Sequence, residues 1–384
     1  MSLTNIMGLL GGLALFLYGM QMMSQGLENA AGNKMQQILE KLTANRFLGV
    51  LVGALITAVI QSSSATTVMV VGFVNAGMMT LNQAVWIIMG ANIGTTITGQ
   101  LIALDAGAVA PIIAFIGVIL IIFSKKEKIG YVGSILAGLG ILFIGMDMMG
   151  GSMEPLAQSQ SFISLLTKFS NPILGILAGT IFTAIIQSSS ASVGILQALA
   201  GSGIVTLDSA AFILFGQNIG TCITAFLAAL GANRNAKRTT IIHITFNVIG
   251  TIIFTILCIT TPLIPVLQGM TESAPKQIAN LHTMFNVTTT LILLPFGTAL
   301  TKLAQHILPD SKTGEPVQGQ IGHLQTKNSD VLGMASITLE ETKRKLEDML
   351  LLAEQNVHSS YDVFLQCDRN VFQQIEKREE QVDE

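Results

Sequence analysis

The sequence predicts an all-α membrane protein with two inverted-topology repeats, each containing a re-entrant helical hairpin, and a short helical cytoplasmic tail. Three observations lead to this fold class. Half of the 384 residues are hydrophobic, only 11% are charged and the mean hydropathy is +0.62, which is typical of a chain that crosses a bilayer several times. The other two observations are an internal duplication and the distribution of Lys and Arg.

The duplication becomes visible when the chain is shifted by 126 residues against itself. Residues 10–104 then align with residues 136–230 without a gap, and 38 of the 95 aligned positions are identical. Shared membrane composition does not produce this degree of identity, so the chain contains a true repeat. We expect one repeat over about 5–124 and a second over about 131–261, followed by an extra span at 276–299.

Each repeat is expected to contain the same elements in the same order. The first repeat begins with a span at 5–27 and a polar, amphipathic surface helix at 28–46. Two apolar arms follow at 48–61 and 65–78; as helices of about 20 Å they are too short to cross about 30 Å of hydrocarbon, so they predict a re-entrant hairpin. The remaining spans are predicted at 81–104, 107–124, 131–149, 208–230 and 239–261, with a loop at 150–171 and the second hairpin at 174–205.

The Lys and Arg residues predict the orientation of the chain. With the C-terminus inside, the cytoplasmic loops of the membrane part hold ten Lys and Arg residues and the outer loops hold two, as the positive-inside rule requires. Three crossings separate the starts of the two repeats, so the repeats would lie in opposite directions with the N-terminus outside. The membrane part would cover 1–308, a linker 309–330, and an acidic helical region 331–384.

Two polar motifs interrupt the apolar segments of both repeats. Gln61-Ser62-Ser63-Ser64 recurs as Gln187-Ser188-Ser189-Ser190, and Asn92-Ile93-Gly94-Thr95 recurs as Asn218-Ile219-Gly220-Thr221. Polar groups are costly in hydrocarbon unless they are satisfied, so we expect the two Ser-rich tips to meet and to hold something polar. A binding site at the midplane between inverted repeats is typical of secondary transporters.

The residue types at these tips suit a small ion. Ser hydroxyls can donate to an anion or ligate a hard cation, and a helix that begins after each Ser run points free N–H groups towards the tip. The segments 47–124 and 169–233 contain no Lys or Arg, so a bound anion would need co-bound cations to balance its charge. The residues therefore predict sodium-coupled anion transport, to which the broken spans would add Asn92, Thr95, Thr96, Asn218 and Thr221.

Other interpretations of these motifs are open. A Ser in a membrane helix commonly bonds back to a carbonyl of the preceding turn, although two copies at equivalent positions favour a functional role. Residues 243–248 (HITFNV) resemble residues 282–287 (HTMFNV); they either hold helices together or line the path, and the structural role is slightly favoured. The sequence has no nucleophile–base pair, P-loop or Cys/His metal cluster, so neither an enzyme nor a nucleic-acid partner is expected.

With these paired motifs, residues 5–300 resemble the type II sodium–phosphate cotransporter family in its bacterial form. The resemblance implies a homodimer in the inner membrane that carries inorganic phosphate with Na⁺ by alternating access, and it likens residues from 331 onwards to part of a PhoU-like domain. By resemblance, the phosphate ligands would be Gln61, Ser62, Ser63, Ser64, Gln187, Ser188, Ser189, Ser190, Asn92 and Asn218, and the sodium ligands Gln61, Ser64, Thr95, Thr96, Gln187, Ser190 and Thr221.

One segment departs from the family pattern. The span after the first hairpin unit reads APIIAFIG at 110–117 and lacks the His-x-x-Phe-Asn motif that animal members carry there, so ion stoichiometry is not transferred. Three alternatives to sodium–phosphate symport are kept: phosphate export, transport of another oxyanion, and a membrane sensor that reports phosphate without transporting it.

Overall fold

The computed structural model describes residues 3–31, 45–104, 106–157 and 168–309, together with residues 356 and 360. The chain divides into two compact units, Met1–Gly314 and Glu315–Glu384, and the first of these is described below. Most of the predicted surface helix at 28–46, and nearly all of the linker at 309–330 and the tail at 331–384, lie outside the described residues.

The described residues of the first unit form helices joined by short turns and contain no strand. Six helical segments are long and apolar enough to cross a membrane, which confirms the all-α membrane fold. In chain order the helices are α1 (Leu3–Ala31), α2 (Arg46–Ile60), α3 (Ser63–Asn75), α4 (Leu81–Gly94), α5 (Thr96–Ile102), α6 (Ala110–Phe123), α7 (Glu127–Ala157), α8 (Pro172–Ile186), α9 (Ser189–Gly201), α10 (Leu207–Gly220), α11 (Cys222–Ala228), α12 (Arg234–Thr260), α13 (Leu263–Met270), α14 (Ala274–Leu293) and α15 (Gly297–Ile307).

The helices of the two predicted hairpin units have matching bounds. Every bound of α2 to α5 recurs in α8 to α11 after a shift of 126 residues. In each unit two short helices form the hairpin, and the following span is interrupted by a single Thr, at Thr95 and at Thr221. The opposite orientation of the two units in the membrane stays a prediction.

The long helices α1 and α7 pack against each other through glycines. A methyl group on Gly19 would lie 2.6 Å from the carbonyl oxygen of Gly138, and one on Gly12 would lie 2.8 Å from that of Gly145. Because no side chain fits between these backbones, only glycine allows the close approach. Gly12 meets Gly145 while Gly19 meets Gly138, so the two helices are antiparallel.

Several helix bounds differ from the sequence-based expectation. Helix α7 extends beyond the predicted end at residue 149, because Met149 and Met153 are buried against the rest of the protein and hold the extra turns. The predicted span at 107–124 is the 14-residue α6 after one 3-10 turn. The predicted span at 276–299 is divided at Leu294–Phe296, where Pro295 lies, and α13 was not expected.

Candidate functional site

The two Gln-Ser-Ser-Ser tips meet at one cavity of about 220 Å³. A water molecule takes about 30 Å³ in the liquid, so the cavity has room for a small oxyanion and several waters or ions. None of the described residues that line it carries a charge. The lining consists of Ile60, Gln61, Ser62, Ser64, Gln187, Ser188, Ser189 and Ser190 from the hairpins, and Met20, Gln21 and Ser24 from α1.

A left-handed Gln makes each tip. Gln61 and Gln187 both have φ of 58°, and among the described residues they are the non-glycine positions with positive φ. The N–H of each donates to the carbonyl of a Thr four residues earlier, Thr57 and Thr183, at 2.7 Å. The left-handed residue ends one helix and reverses the chain within a single residue, and such conformations cluster at functional sites.

The Ser that follows each Gln begins the second helix of the hairpin. The Oγ of Ser62 accepts from the N–H of Ala65 at 3.1 Å, and the Oγ of Ser188 accepts from the N–H of Ala191 at 3.2 Å. The first N–H groups of α3 and α9 have no intrahelical acceptor. Each tip therefore presents the start of a 13-residue helix, which is a favourable place for an anion.

Three buried hydroxyls from different elements lie close together behind the tips. The Oγ atoms of Ser63 and Ser189 are 3.3 Å apart, and each lies 3.4 Å from the Oγ1 of Thr95. Thr95 is the residue at which the span after the first hairpin breaks. We call Ser63, Thr95 and Ser189 the hydroxyl triad; it joins both hairpins to the broken span.

The two tips are in different environments. Gln61 is 4% exposed, its Oε1 accepts from Thr98 at 2.7 Å, and its amide also donates to the carbonyl of Ala58. The Oγ of Ser190 donates to the main-chain carbonyl of Gln61 at 3.3 Å. Gln187, by contrast, is exposed. The two Gln side chains thus differ in exposure, whereas Ser189 and Ser190 of the second tip are buried and Ser62 and Ser64 of the first are half-buried.

The other predicted site residues lie outside the cavity lining. Asn92 donates to the carbonyl of Ile88 in its own helix at 2.8 Å, and Thr96, the first residue of α5, donates across the break to the carbonyl of Ile93 of α4 at 2.7 Å. Thr221 donates to the carbonyl of Gln217 at 2.9 Å. Asn218 faces two residues of α14 that are described below. A role for these four residues in binding stays a prediction.

Sequence reasoning missed the contribution of α1. Gln21 and Ser24 line the cavity, and their signal is a polar pair three residues apart within an otherwise apolar span. That spacing places both side chains on one face of a helix. It could have been recognised as an inward-facing polar stripe.

A family model described as Na+/Pi-cotransporter matches residues 15–151 and 145–263. The protein YqeW of Bacillus subtilis, which has no described function, is 32% identical over 295 residues, covering 77% of this chain and 95% of YqeW. YjbB of Escherichia coli, named as a proposed inorganic phosphate export protein, is 26% identical over 343 residues, covering 87% of this chain and 60% of YjbB.

A human protein is similar over a shorter region. Sodium-dependent phosphate transport protein 2B is 38% identical over 98 residues, which is 25% of this chain and 14% of the human protein. No solved structure matches the chain. The family model covers both hairpin units, including the two tips and the hydroxyl triad, and the chain therefore belongs to the Na⁺/Pi-cotransporter family, a family of membrane transporters.

Proposed function

We propose that this protein carries inorganic phosphate together with Na⁺ across the cytoplasmic membrane by alternating access. Phosphate and sodium would be held between the two tips. The observation that carries the proposal is the meeting of two helix N-termini and a set of Ser hydroxyls in one cavity with an uncharged lining. Family membership supports phosphate transport, while sodium coupling and the direction of transport are our inference.

The tips offer donors to phosphate but no balancing positive side chain. Main-chain N–H groups at the starts of α3 and α9 and the hydroxyl of Ser64 can donate to phosphate oxygens; the hydroxyl of Ser190 could do so only after leaving the carbonyl of Gln61. Transfer of a bare anion from water into this partly buried, uncharged place would be costly. Co-bound cations are the remaining source of positive charge in the cavity, which is the physical reason for coupling.

The hydroxyl triad is the best candidate for one of these cations. Three oxygens separated by 3.3 to 3.4 Å lie about 1.9 Å from their common centre. An ion that prefers oxygen ligands at about 2.4 Å would then sit about 1.4 Å out of their plane. Ser189, the member of the triad that also lines the cavity, would place such an ion next to a phosphate held between the tips.

The test is uptake of radiolabelled phosphate into proteoliposomes with and without an inward sodium gradient. Ser63→Ala and Ser189→Ala should each reduce sodium-dependent uptake by about tenfold or more, because a hydrogen bond or ligand to a charged group is lost. Ser134→Ala is the matched control, since the hydroxyl of Ser134 only donates to Gly130 of its own helix. Undiminished uptake in both tip variants would contradict the proposed site.

Similarity to YjbB favours phosphate export as a second candidate. Vesicles loaded with phosphate distinguish the two functions. A sodium symporter should release phosphate only when sodium is present inside with it, whereas equal release with choline in place of sodium would replace symport by sodium-independent export. Competition by arsenate or sulfate in the same vesicles tests the alternative of another oxyanion.

A further inference from the structure

Two similar motifs lie on α12 and α14, apart from the cavity. Each contains a His and, one turn later, an Asn: His243 with Asn247, and His282 with Asn286. The amide of each Asn donates back to the carbonyl of its His, at 3.1 Å and 3.0 Å. All four side chains are at most 2% exposed. The two motifs therefore share one local geometry as well as one sequence pattern.

The helices that carry these motifs pack against equivalent helices of opposite hairpin units. Helix α12 packs against α3, α4, α10 and α11, whereas α14 packs against α9, α10, α4 and α5. The shift of 126 residues converts α3, α4 and α5 into α9, α10 and α11. Helix α14 thus stands to one hairpin unit as α12 stands to the other, while α6, which the sequence pairs with 239–261, packs against α7.

The motif on α14 holds the broken span of the second unit. The Oδ1 of Asn218 lies 3.3 Å from the Nε2 of His282 and accepts from the Nδ2 of Asn286 at 3.4 Å. Asn218 lies three residues before the break at Thr221, so these contacts position the broken end of α10. We call this arrangement a clamp.

The motif on α12 is not engaged in the same way. Neither ring nitrogen of His243 has a hydrogen-bond partner among the described residues, whereas the Nε2 of His282 meets Asn218. The Nδ2 of Asn247 contacts the Sγ of Cys222 on α11 at 3.4 Å, and the Oδ1 atoms of Asn247 and Asn286 are both without a partner among the described residues. Buried polar atoms without partners are costly and call for an explanation. The residue of the first unit that corresponds to Asn218 is Asn92. The amides of both donate to carbonyls of their own helices, so the difference is that no described side chain of α12 or α14 hydrogen-bonds to Asn92.

Asn92 lies on the face of α4 that meets α12. Val85 and Met89 belong to one buried cluster with Ile242 and Phe246 of α12 and Leu293 of α14, and Asn92 follows Met89 by three residues. Positions 85, 89 and 92 share one face of a helix. Asn92 therefore lies on the side of α4 that faces this cluster, and contact with His243 requires a displacement of α4 against α12.

We propose that His243 and Asn247 clamp Asn92 as His282 and Asn286 clamp Asn218, and that the two clamps close alternately. These four residues are positioning residues, since they act through the broken spans. The inference rests on the proposed function only in that the alternation serves a transport cycle. The unequal exposure of Gln61 and Gln187 agrees with it, because equivalent parts of the two units are in different states.

The test measures how fast Cys residues introduced at the two tips react with a thiol reagent, on the full-length protein in detergent. This measurement does not depend on transport of phosphate or sodium. Gln187→Cys should react quickly with a thiol reagent and Gln61→Cys slowly. His282→Ala, which opens the closed clamp, should slow the first reaction and speed the second by about two- to tenfold, as loss of one net hydrogen bond allows. His243→Ala should leave the fast reaction at Gln187→Cys undiminished.

Controls separate a clamp from a general structural role. Thr245→Ala removes a hydroxyl that only bonds to Ile241 of its own helix, and should change neither rate. His282→Gln retains a donor that reaches Asn218, and should restore the parental rates. Equal, same-direction changes in both His variants, or no change in either, would overturn the proposal even if sodium-dependent uptake is established.

Cross-linking tests the contact that has not been observed. The pair Asn218→Cys and His282→Cys should be joined readily by a short bifunctional thiol reagent, because the parent side chains touch at their ends while Cys is too short for a direct disulfide to be expected. The pair Asn92→Cys and His243→Cys should be joined more slowly, and faster when His282→Ala is added. Absence of this second cross-link in the His282→Ala background would contradict alternate closing.

Discussion

At the scale of single residues, the left-handed glutamines combine a conformational cost with a function. A left-handed residue with a Cβ costs about 1–2 kcal/mol. None of the described side chains hydrogen-bonds to the amide of Gln187, so Gln187→Gly should raise the free energy of unfolding by about 1 kcal/mol. Thermal unfolding in detergent measures the change.

The matched substitution at the other tip should behave differently. Gln61→Gly relieves the same strain but removes the acceptor of Thr98, which is fully buried. Leaving a buried hydroxyl without its partner costs about 1–3 kcal/mol. We therefore expect no gain, or a loss, in stability; equal stabilisation by both substitutions would contradict the different roles of the two tips.

The sequence predicts the Ser-rich tips well but not which of their neighbours they meet. Duplication places Thr95 and Thr221 at equivalent positions, and a repeat argument treats them alike. In the structure Thr95 joins Ser63 and Ser189, whereas Thr221 bonds back to its own helix. The two repeats make different contacts in this structure although their sequences are similar. The sequence does not show which repeat makes which contacts.

At the scale of elements, the contact between α1 and α7 depends on glycine. Gly19→Ala should lower the free energy of unfolding by about 1–3 kcal/mol, because a methyl group there meets the backbone of α7 and the helices must separate. Gly151→Ala on α7 is the control: no atom lies within 4 Å of the added methyl. It should be neutral or stabilising by up to about 1 kcal/mol, since alanine favours helix.

Helix positions are predictable from the sequence to within a few residues at most bounds. The hairpin arms expected at 48–61 and 65–78 are α2 and α3, because their apolar runs end at a polar tip. The end of α7 is not predictable in this way. Gly150, Gly151 and Pro155 favour a turn locally, and tertiary burial of Met149 and Met153 overrides that preference.

At the scale of the whole molecule, the described unit contains both tips and the hydroxyl triad, so the region after residue 314 should be dispensable for transport. A chain ending at residue 314 should retain phosphate uptake in proteoliposomes. A chain ending at residue 306 should be less stable, because Arg238 and Arg234 donate to the carbonyls of Leu308 and Pro309. Loss of all uptake in the chain that ends at residue 314 would favour the alternative of a membrane sensor.

The packing of α14 against both hairpin units lies beyond what the sequence alone predicts. Order along the chain pairs 107–124 with 239–261, and this pairing fails to reflect the packing because the helices of the two units interlock. The similarity of residues 243–248 and 282–287 is the one sequence feature that points to it. A homodimer and the oriented insertion of the chain stay predictions.

The uncharged lining of the cavity has an electrical consequence. A charge that moves through a potential of 100 mV gains or loses about 2.3 kcal/mol. Since no described side chain around the cavity carries charge, the voltage across the membrane acts there on the bound ions and on the partial charges of the two helix N-termini. The step that returns the empty binding region would then depend only weakly on voltage, and the membrane potential would drive or oppose transport mainly through the net charge of the cargo.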